Sequence, residues 1–146
     1  MNNKELEDRV LLKELVDTFS ILGDKKDVNQ QVQLFSENAT SETFVDGQSV
    51  LKVTGRRNIE DAFKEFLKNF STVYHFNGQQ HLEINGDNAT GTSYCMVTLI
   101  GRENDKKMKT TIGAIYQDDF IREQNHWRIA KRIGTFDWQE KRELNL

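Results

Sequence analysis

The chain contains no proline, a single cysteine, and no apolar run long enough to cross a bilayer. Each absence removes a class of explanation. Without proline there are no rigid extended spacers, which fits one compact domain over all 146 residues. The lone Cys95 rules out an internal disulfide and any site built from several thiolates, and it suits a reducing compartment. A membrane helix needs about 18 or more consecutive apolar residues, and nothing here approaches that. Charge of one sign is scarce too. The 20 basic and 23 acidic residues leave a net charge of -3, which offers no basic footprint for nucleic acid. The first eight residues carry neither an apolar core nor a cleavage signal, so a cytoplasmic location is expected rather than secretion. Glycine-rich phosphate loops, nucleophile elbows and dinucleotide fingerprints are missing as well. Three scattered histidines (His75, His81 and His126) have no metal-ligand spacing. The expectation is a protein without metal or other cofactor.

What is present is ordered. Leu12, Leu15, Val16, Phe19 and Leu22 recur at helical spacing, so residues 4–22 read as an amphipathic helix stopped at Gly23. Asp27 is placed to cap a short second helix through Val28, Val32 and Phe35. Residues 41–53 read as a strand pair about Asp46-Gly47, a dipeptide that tolerates positive φ. A third helix, capped near Asn58, would bury Ile59, Phe63, Phe66, Leu67 and Phe70. Beyond Ser71 the period changes from 3.6 to 2. Strands are expected at 73–84, 88–101, 107–123 and 126–136, with 137–146 a short helix or a frayed tail. Helices first and a long-stranded meander after them define an α+β fold, with helices on one face of a sheet.

Two groups of residues could carry chemistry. Asp24 and His75 are an acid and a base that can face one pocket. A histidine exchanges protons near neutral pH, and a bonded carboxylate fixes its tautomer and raises its basicity. The competing reading has Asp24 capping its turn and His75 as a satisfied strand residue. Tyr116 and Asp118 alternate onto one strand face. There Asp118 is either a pocket acid or the ion-pair partner of Arg132, and Tyr116 either a donor to an oxyanion or packing. By parity His81 shares a face with His75, too far along the strand to share its site. Phe19, Phe44 and Phe63 are candidates to line an apolar pocket, with Phe66, Phe120, Trp127 and Trp138 reading more as core, and Cys95 as a small buried hydrophobe.

Four segments, spread over nearly the whole chain, carry a family likeness. They are Leu22-Gly23-Asp24-Lys25-Lys26-Asp27 with Leu34-Phe35-Ser36-Glu37-Asn38-Ala39, then Gly55-Arg56-Arg57-Asn58-Ile59, then His75 with Ile84-Asn85-Gly86-Asp87-Asn88-Ala89, and finally Tyr116-Gln117-Asp118 with Trp127-Arg128-Ile129 and Arg132. In order and spacing the chain resembles the nuclear transport factor 2-like superfamily, and within it the SnoaL-like group that includes polyketide cyclases. The resemblance implies a cone in which three helices close a strongly curved mixed or antiparallel sheet around a pocket. It also implies a homodimer. Members include isomerases, dehydratases, cyclases, epoxide hydrolases and proteins that only bind or dimerise. The turn at Asp24 resembles that of the scytalone dehydratases, where the aspartate works with a histidine whose place His75 approaches. The chain departs from them at Gly23 and near Thr43 and Phe44, where they carry tyrosines, and over 110–113, where they carry a second histidine.

The expected function is therefore a small-molecule pocket protein, and two forms of it are open. One is an isomerase, cyclase or dehydratase that moves a proton on an apolar or aromatic carbonyl compound without a cofactor. In that form His75 is the base, Asp24 orients it, and Tyr116 and Asp118 position the substrate. The other is a non-catalytic module that binds a small ligand or dimerises.

Overall fold

The structure, a computed structural model, describes residues 2–145. Helix α1 (Asn3–Asp24) opens where the Asn2 side chain accepts a hydrogen bond from the Glu5 amide at 2.8 Å. It buries Leu12, Leu15, Val16 and Phe19. It ends in a tight turn in which Lys26 takes a positive φ of 59° and the Asp27 amide donates to the Leu22 carbonyl. Asp27 then caps α2 (Val28–Gln31), as its sequence position predicts, by accepting from the Gln30 amide. That second helix is shorter than its apolar spacing suggests. A single 3-10 turn carries it to Leu34, and Phe35 already belongs to a strand.

Strands β1 (Phe35–Val45) and β2 (Gln48–Thr54) form the expected hairpin, with Asp46 and Gly47 at φ of 51° and 75°. Two positive φ values in a two-residue loop match the twist of the flanking strands. Helix α3 (Arg56–Leu67) starts at Gly55 rather than at Asn58, whose side chain instead donates back to the Thr54 carbonyl. It buries Ile59 and Leu67, while Phe66 is exposed. Four long strands follow: β3 (Thr72–Asn85), β4 (Asn88–Glu103), β5 (Lys106–Glu123) and β6 (His126–Glu143). The single sheet runs β2-β1-β6-β5-β4-β3 and is antiparallel except where β1 lies parallel to β6. The expected helical or frayed tail is absent from 137–143. Those residues extend β6 along β5, from Gly113 against Trp138 to Met108 against Glu143. Their polar side chains show no alternation, so what holds them is the backbone ladder and Trp138, which lies over Gly113.

The helices cover one face of this sheet. On that inner face Val73, Leu82, Ala89, Val97, Leu99, Ile112, Ala114, Phe120 and Ile129 meet the apolar stripe of α1. One bulge and plain alternation decide which other residues face inward. In β3 the register slips between Asn77 and Gln80, so one extra residue sends His81 outward although it stands six positions from His75. In β1, Phe44 pairs with Thr135, whereas Thr43 pairs with Gly134 and so shares the inner face with Tyr116. Phe44 therefore points away from the helices. Its expected place in a pocket lining is corrected on that ground.

A buried ionic cluster ties the start of α1 to the far end of the sheet. Asp8 accepts from both terminal nitrogens of Arg122 at 2.8 Å each and from the Trp127 indole at 3.1 Å, while Arg122 also reaches Asp87 at 2.9 Å. The Arg122 hydrogen bonds, helped by Trp127 and opposed by burial, hold the Asp8 carboxyl at about 2, below its ordinary 3.8. A depressed carboxylate stabilises the fold fully above 3.8, and that contribution drains as pH falls toward about 2. Asp8→Asn is expected to cost about 3 kcal/mol near neutral pH by leaving Arg122 short of its partner. Urea unfolding should show the gap from wild type narrowing as pH is lowered from about 5 to 2. A gap independent of pH would mean that Asp8 acts by packing alone.

Candidate active site

Asp24 is the last residue of α1, and His75 lies on the inner face of β3 beside it. Gly23 makes their approach feasible. A Cβ on that residue would sit 2.9 Å from the Gln31 side-chain nitrogen and 3.6 Å from His75 Cε1. The space beside Gly23 is filled by the Gln31 amide, itself anchored to the Phe19 carbonyl at 3.1 Å. His75 Nδ1 stands 2.6 Å from Asp24 Oδ1. An ionised carboxylate only accepts, so opposite one Nδ1 is the donor of this bond, and in a neutral ring Nε2 then carries the lone pair. Nε2 bonds to no described residue. The pair is not sealed: the side chains of His75 and Asp24 are 18% and 26% exposed. A polar chain fixes α1 against β3 one step along the strand. There Asn77 donates to Asp17 at 3.0 Å and accepts from the Ser20 hydroxyl at 3.1 Å. Sequence reasoning missed Gln31, Ser20 and Asn77. Asn77 alone had a signal, since it follows His75 by two positions.

The second group lies further across the same face. Asp118 accepts from Arg132 Nε at 2.8 Å and from Nη2 at 3.1 Å, with both residues buried. Of the two readings the ion pair is the one observed, and Asp118 is not a free pocket acid. The Arg132 guanidinium packs on two rings, with its carbon 4.1 Å from the centre of Tyr116 and 4.6 Å from that of Phe19. Burial acts to strip its proton, but Asp118 outweighs this and leaves the arginine pKa raised. Burial also pushes the Tyr116 hydroxyl up to about 12, so it stays a proton donor across the working range. Tyr116 lies flat against Gly134, where a Cβ would come 2.9 Å from its ring. Phe19, Phe35 and Phe63 meet edge to face with centroids 5.3 to 6.3 Å apart and fill the space beneath α3.

The structure thus brings together Asp24 with His75, and Phe19 and Phe63 with Tyr116 and the Asp118–Arg132 pair. Cys95 lies between the two groups, with its thiol pushed up to about 11 by burial. That value leaves no thiolate at neutral pH to act as a nucleophile. His81 and His126 are exposed and apart. Among the described residues no three His, Cys, Asp or Glu side chains gather as metal ligands would. Two sizeable depressions lie elsewhere. One of about 620 Å³ is bordered by Glu83 and Asp119, and one of about 370 Å³ lies on the outer face between Phe76 and Trp138. Neither contains an acid–base pair.

Three helices on a curved mixed sheet, with an acid–base pair at the helix-covered face, define a cone of the nuclear transport factor 2-like kind. Within it the chain belongs to the SnoaL-like domain family, whose model matches residues 4–133. A Mycobacterium tuberculosis (strain H37Rv) protein of uncharacterised function is 25% identical over 137 residues, which cover 93% of this chain and 90% of the relative. A proposed scytalone dehydratase from Novosphingobium aromaticivorans superposes with a TM-score of 0.85 at 14% identity, covering 99% of this chain and 94% of that one. The hexachlorocyclohexane dehydrochlorinase LinA type 3 from Novosphingobium barchaimii gives 0.78 at 18% identity, with 96% and 92% covered. At these identities the likeness to the solved structures is one of fold. No described helix is long and apolar enough to cross a membrane.

Proposed function

We propose that the chain is a cofactor-independent enzyme of the cytoplasm that moves a proton on an apolar or aromatic carbonyl compound, as an isomerase, cyclase or dehydratase. The observation that carries this is the 2.6 Å contact of His75 Nδ1 with Asp24, on partly exposed side chains and with Nε2 bonded to no described residue. His75 Nε2 takes a proton from a carbon next to the carbonyl, and the C–H pair moves toward the carbonyl oxygen. Asp24 holds the ring and balances the imidazolium that forms. Returning the proton to another carbon isomerises the compound. Expelling a β-hydroxyl, which leaves as water with that proton, dehydrates it. Phe19, Phe63 and Tyr116 offer the apolar and aromatic contacts. The fold also houses elimination enzymes, by the names of its neighbours. The test is to incubate the protein with small aryl ketones in deuterated water and follow loss of the α-proton signal by NMR. Saturable, enzyme-dependent exchange is expected. Tight binding of such compounds without exchange or turnover would favour a binding module.

The outer face favours a second property. Tyr74, Phe76, Tyr94, Met96 and Trp138 are all exposed there, around the depression at Gly113. So many large apolar groups on one face seldom stay wet. A self-complementary two-fold contact is the commonest way to cover such a face, so a homodimer is part of the proposal. Sedimentation should give a particle of twice the 17.0 kDa chain mass, and Phe76→Lys with Trp138→Lys should return it to a monomer. A wild-type monomer at micromolar concentration contradicts this.

A further inference from the structure

Two asparagine–glycine steps stand on β3, Asn77-Gly78 and Asn85-Gly86. Such a step is chemically vulnerable, because glycine has no Cβ to keep its own amide nitrogen away from the preceding side chain. The structure treats the two oppositely. The Asn77 amide is fully engaged: it donates to Asp17 at 3.0 Å and to the Val16 carbonyl at 3.5 Å, and it accepts from Ser20 at 3.1 Å. Its side-chain carbon cannot swing toward the Gly78 nitrogen without breaking the contacts that fix α1 against β3. Gly78 itself is exposed in the bulge, so the protection comes from the asparagine.

Asn85 has no such hold. It is exposed at the last position of β3, on the rim of the depression of about 620 Å³, and its side chain bonds to no described residue. It pairs with Asn88 across a two-residue turn, which puts Gly86 outside the ladder at a φ of 64°. The Gly86 amide donates to no described residue. An uncommitted nitrogen therefore follows an uncommitted side-chain amide in open water, and no part of the fold has to open for them to meet. The turn is also tied to the interior. Arg122 donates from its main-chain amide to the Asp87 carbonyl at 2.8 Å, from Nη2 to the Gly86 carbonyl at 3.2 Å and from Nε to the Asp87 side chain at 2.9 Å. The same guanidinium holds Asp8 on α1.

We propose that Asn85-Gly86 is a self-modification site, at which the folded protein deamidates selectively and whose β-linked product loosens the Arg122–Asp8 tie. The Gly86 nitrogen loses its proton and attacks the side-chain carbonyl carbon of Asn85. A nitrogen–carbon bond forms, the bond from that carbon to Nδ2 breaks, and ammonia leaves with the proton, so that a cyclic imide remains. Water then opens either imide carbonyl. One opening leaves an aspartate in an ordinary chain, and the other a chain that runs through the side-chain carbon and is longer by that carbon. Water is the only co-reactant. The length of a tight turn sets the register of the strands it joins, so the added carbon displaces Gly86 and Asp87 from Arg122. The added charge by itself matters little at a solvated position.

The test is to age the purified protein at mildly alkaline pH, beside a sample held in urea, and to follow both steps by peptide mapping with mass detection. In the folded protein the loss of amide should be confined to Asn85, while in urea Asn77 and Asn85 should convert at similar rates. Asn85→Gln, whose longer side chain disfavours ring closure, should stop the loss at that step. The aged fraction carrying the β-linked chain, separated by chromatography, should unfold at lower denaturant than fresh protein. Asn85→Asp, which has the charge in an ordinary chain, should unfold with wild type. Equal conversion of Asn77 and Asn85 in the folded protein overturns the inference, and so does an Asn85 that keeps its amide when folded and loses it only in urea. A β-linked fraction as stable as fresh protein overturns the coupling to Arg122.

Discussion

Replacing His75 by Gln should lower the rate of α-proton exchange by about 10²–10⁴, the usual worth of a general base, and leave the fold intact. The amide fits the volume of the ring and can still donate toward Asp24, but it offers no basic nitrogen where Nε2 stands. Asp24→Asn should fall part of the way. An amide at that position can accept from Nδ1–H, but it cannot balance the imidazolium, so the base is oriented yet weaker. The comparison of the two variants is the informative measurement. A base oriented by a carboxylate loses activity in both, with the larger loss at His75 and with melting temperatures close to wild type. If instead both variants melt well below wild type and still bind ligand with unchanged pH dependence, the 2.6 Å contact is a structural clamp between α1 and β3. The chain would then be a binding module.

The sequence displayed the frame of this site clearly and its details unevenly. The 3.6-residue recurrence from Leu12 to Leu22, the change of period after Ser71 and the Asp46-Gly47 turn are local signals, and each corresponds to an observed element. The Gly23-Asp24 turn and His75 could be paired because a helix end and a strand position are both local as well. The likeness to a family then ordered the elements. What stayed hidden depends on register. One extra residue after Asn77 inverts the face of everything beyond it in β3, so parity placed His81 wrongly. Phe44 faces outward by plain alternation from Thr43, whose partner Gly134 pairs with Tyr116. The last turn of the sheet escaped notice because 137–143 are held by backbone pairing rather than by an apolar stripe. Arg132 was legible as a partner for Asp118, but its contacts with the Phe19 and Tyr116 rings were not, because they join three elements distant in sequence.

Asp118→Ala should be among the most damaging single changes in the chain, costing about 3–5 kcal/mol. The carboxylate is wholly enclosed and its two oxygens satisfy two of the Arg132 nitrogens at 2.8 and 3.1 Å. Without it the guanidinium remains against two rings, buried and short of acceptors, and arginine cannot shed its charge to escape. The loss is therefore the cost of a stranded cation rather than the value of one ion pair. Removing the cation as well should recover most of it, since apolar replacement of a whole buried pair is often neutral or stabilising. The expectation for chemical denaturation is a large drop in the midpoint for Asp118→Ala, and a midpoint near wild type for Asp118→Leu combined with Arg132→Met. A double variant as unstable as Asp118→Ala would mean that the pair is irreplaceable for folding.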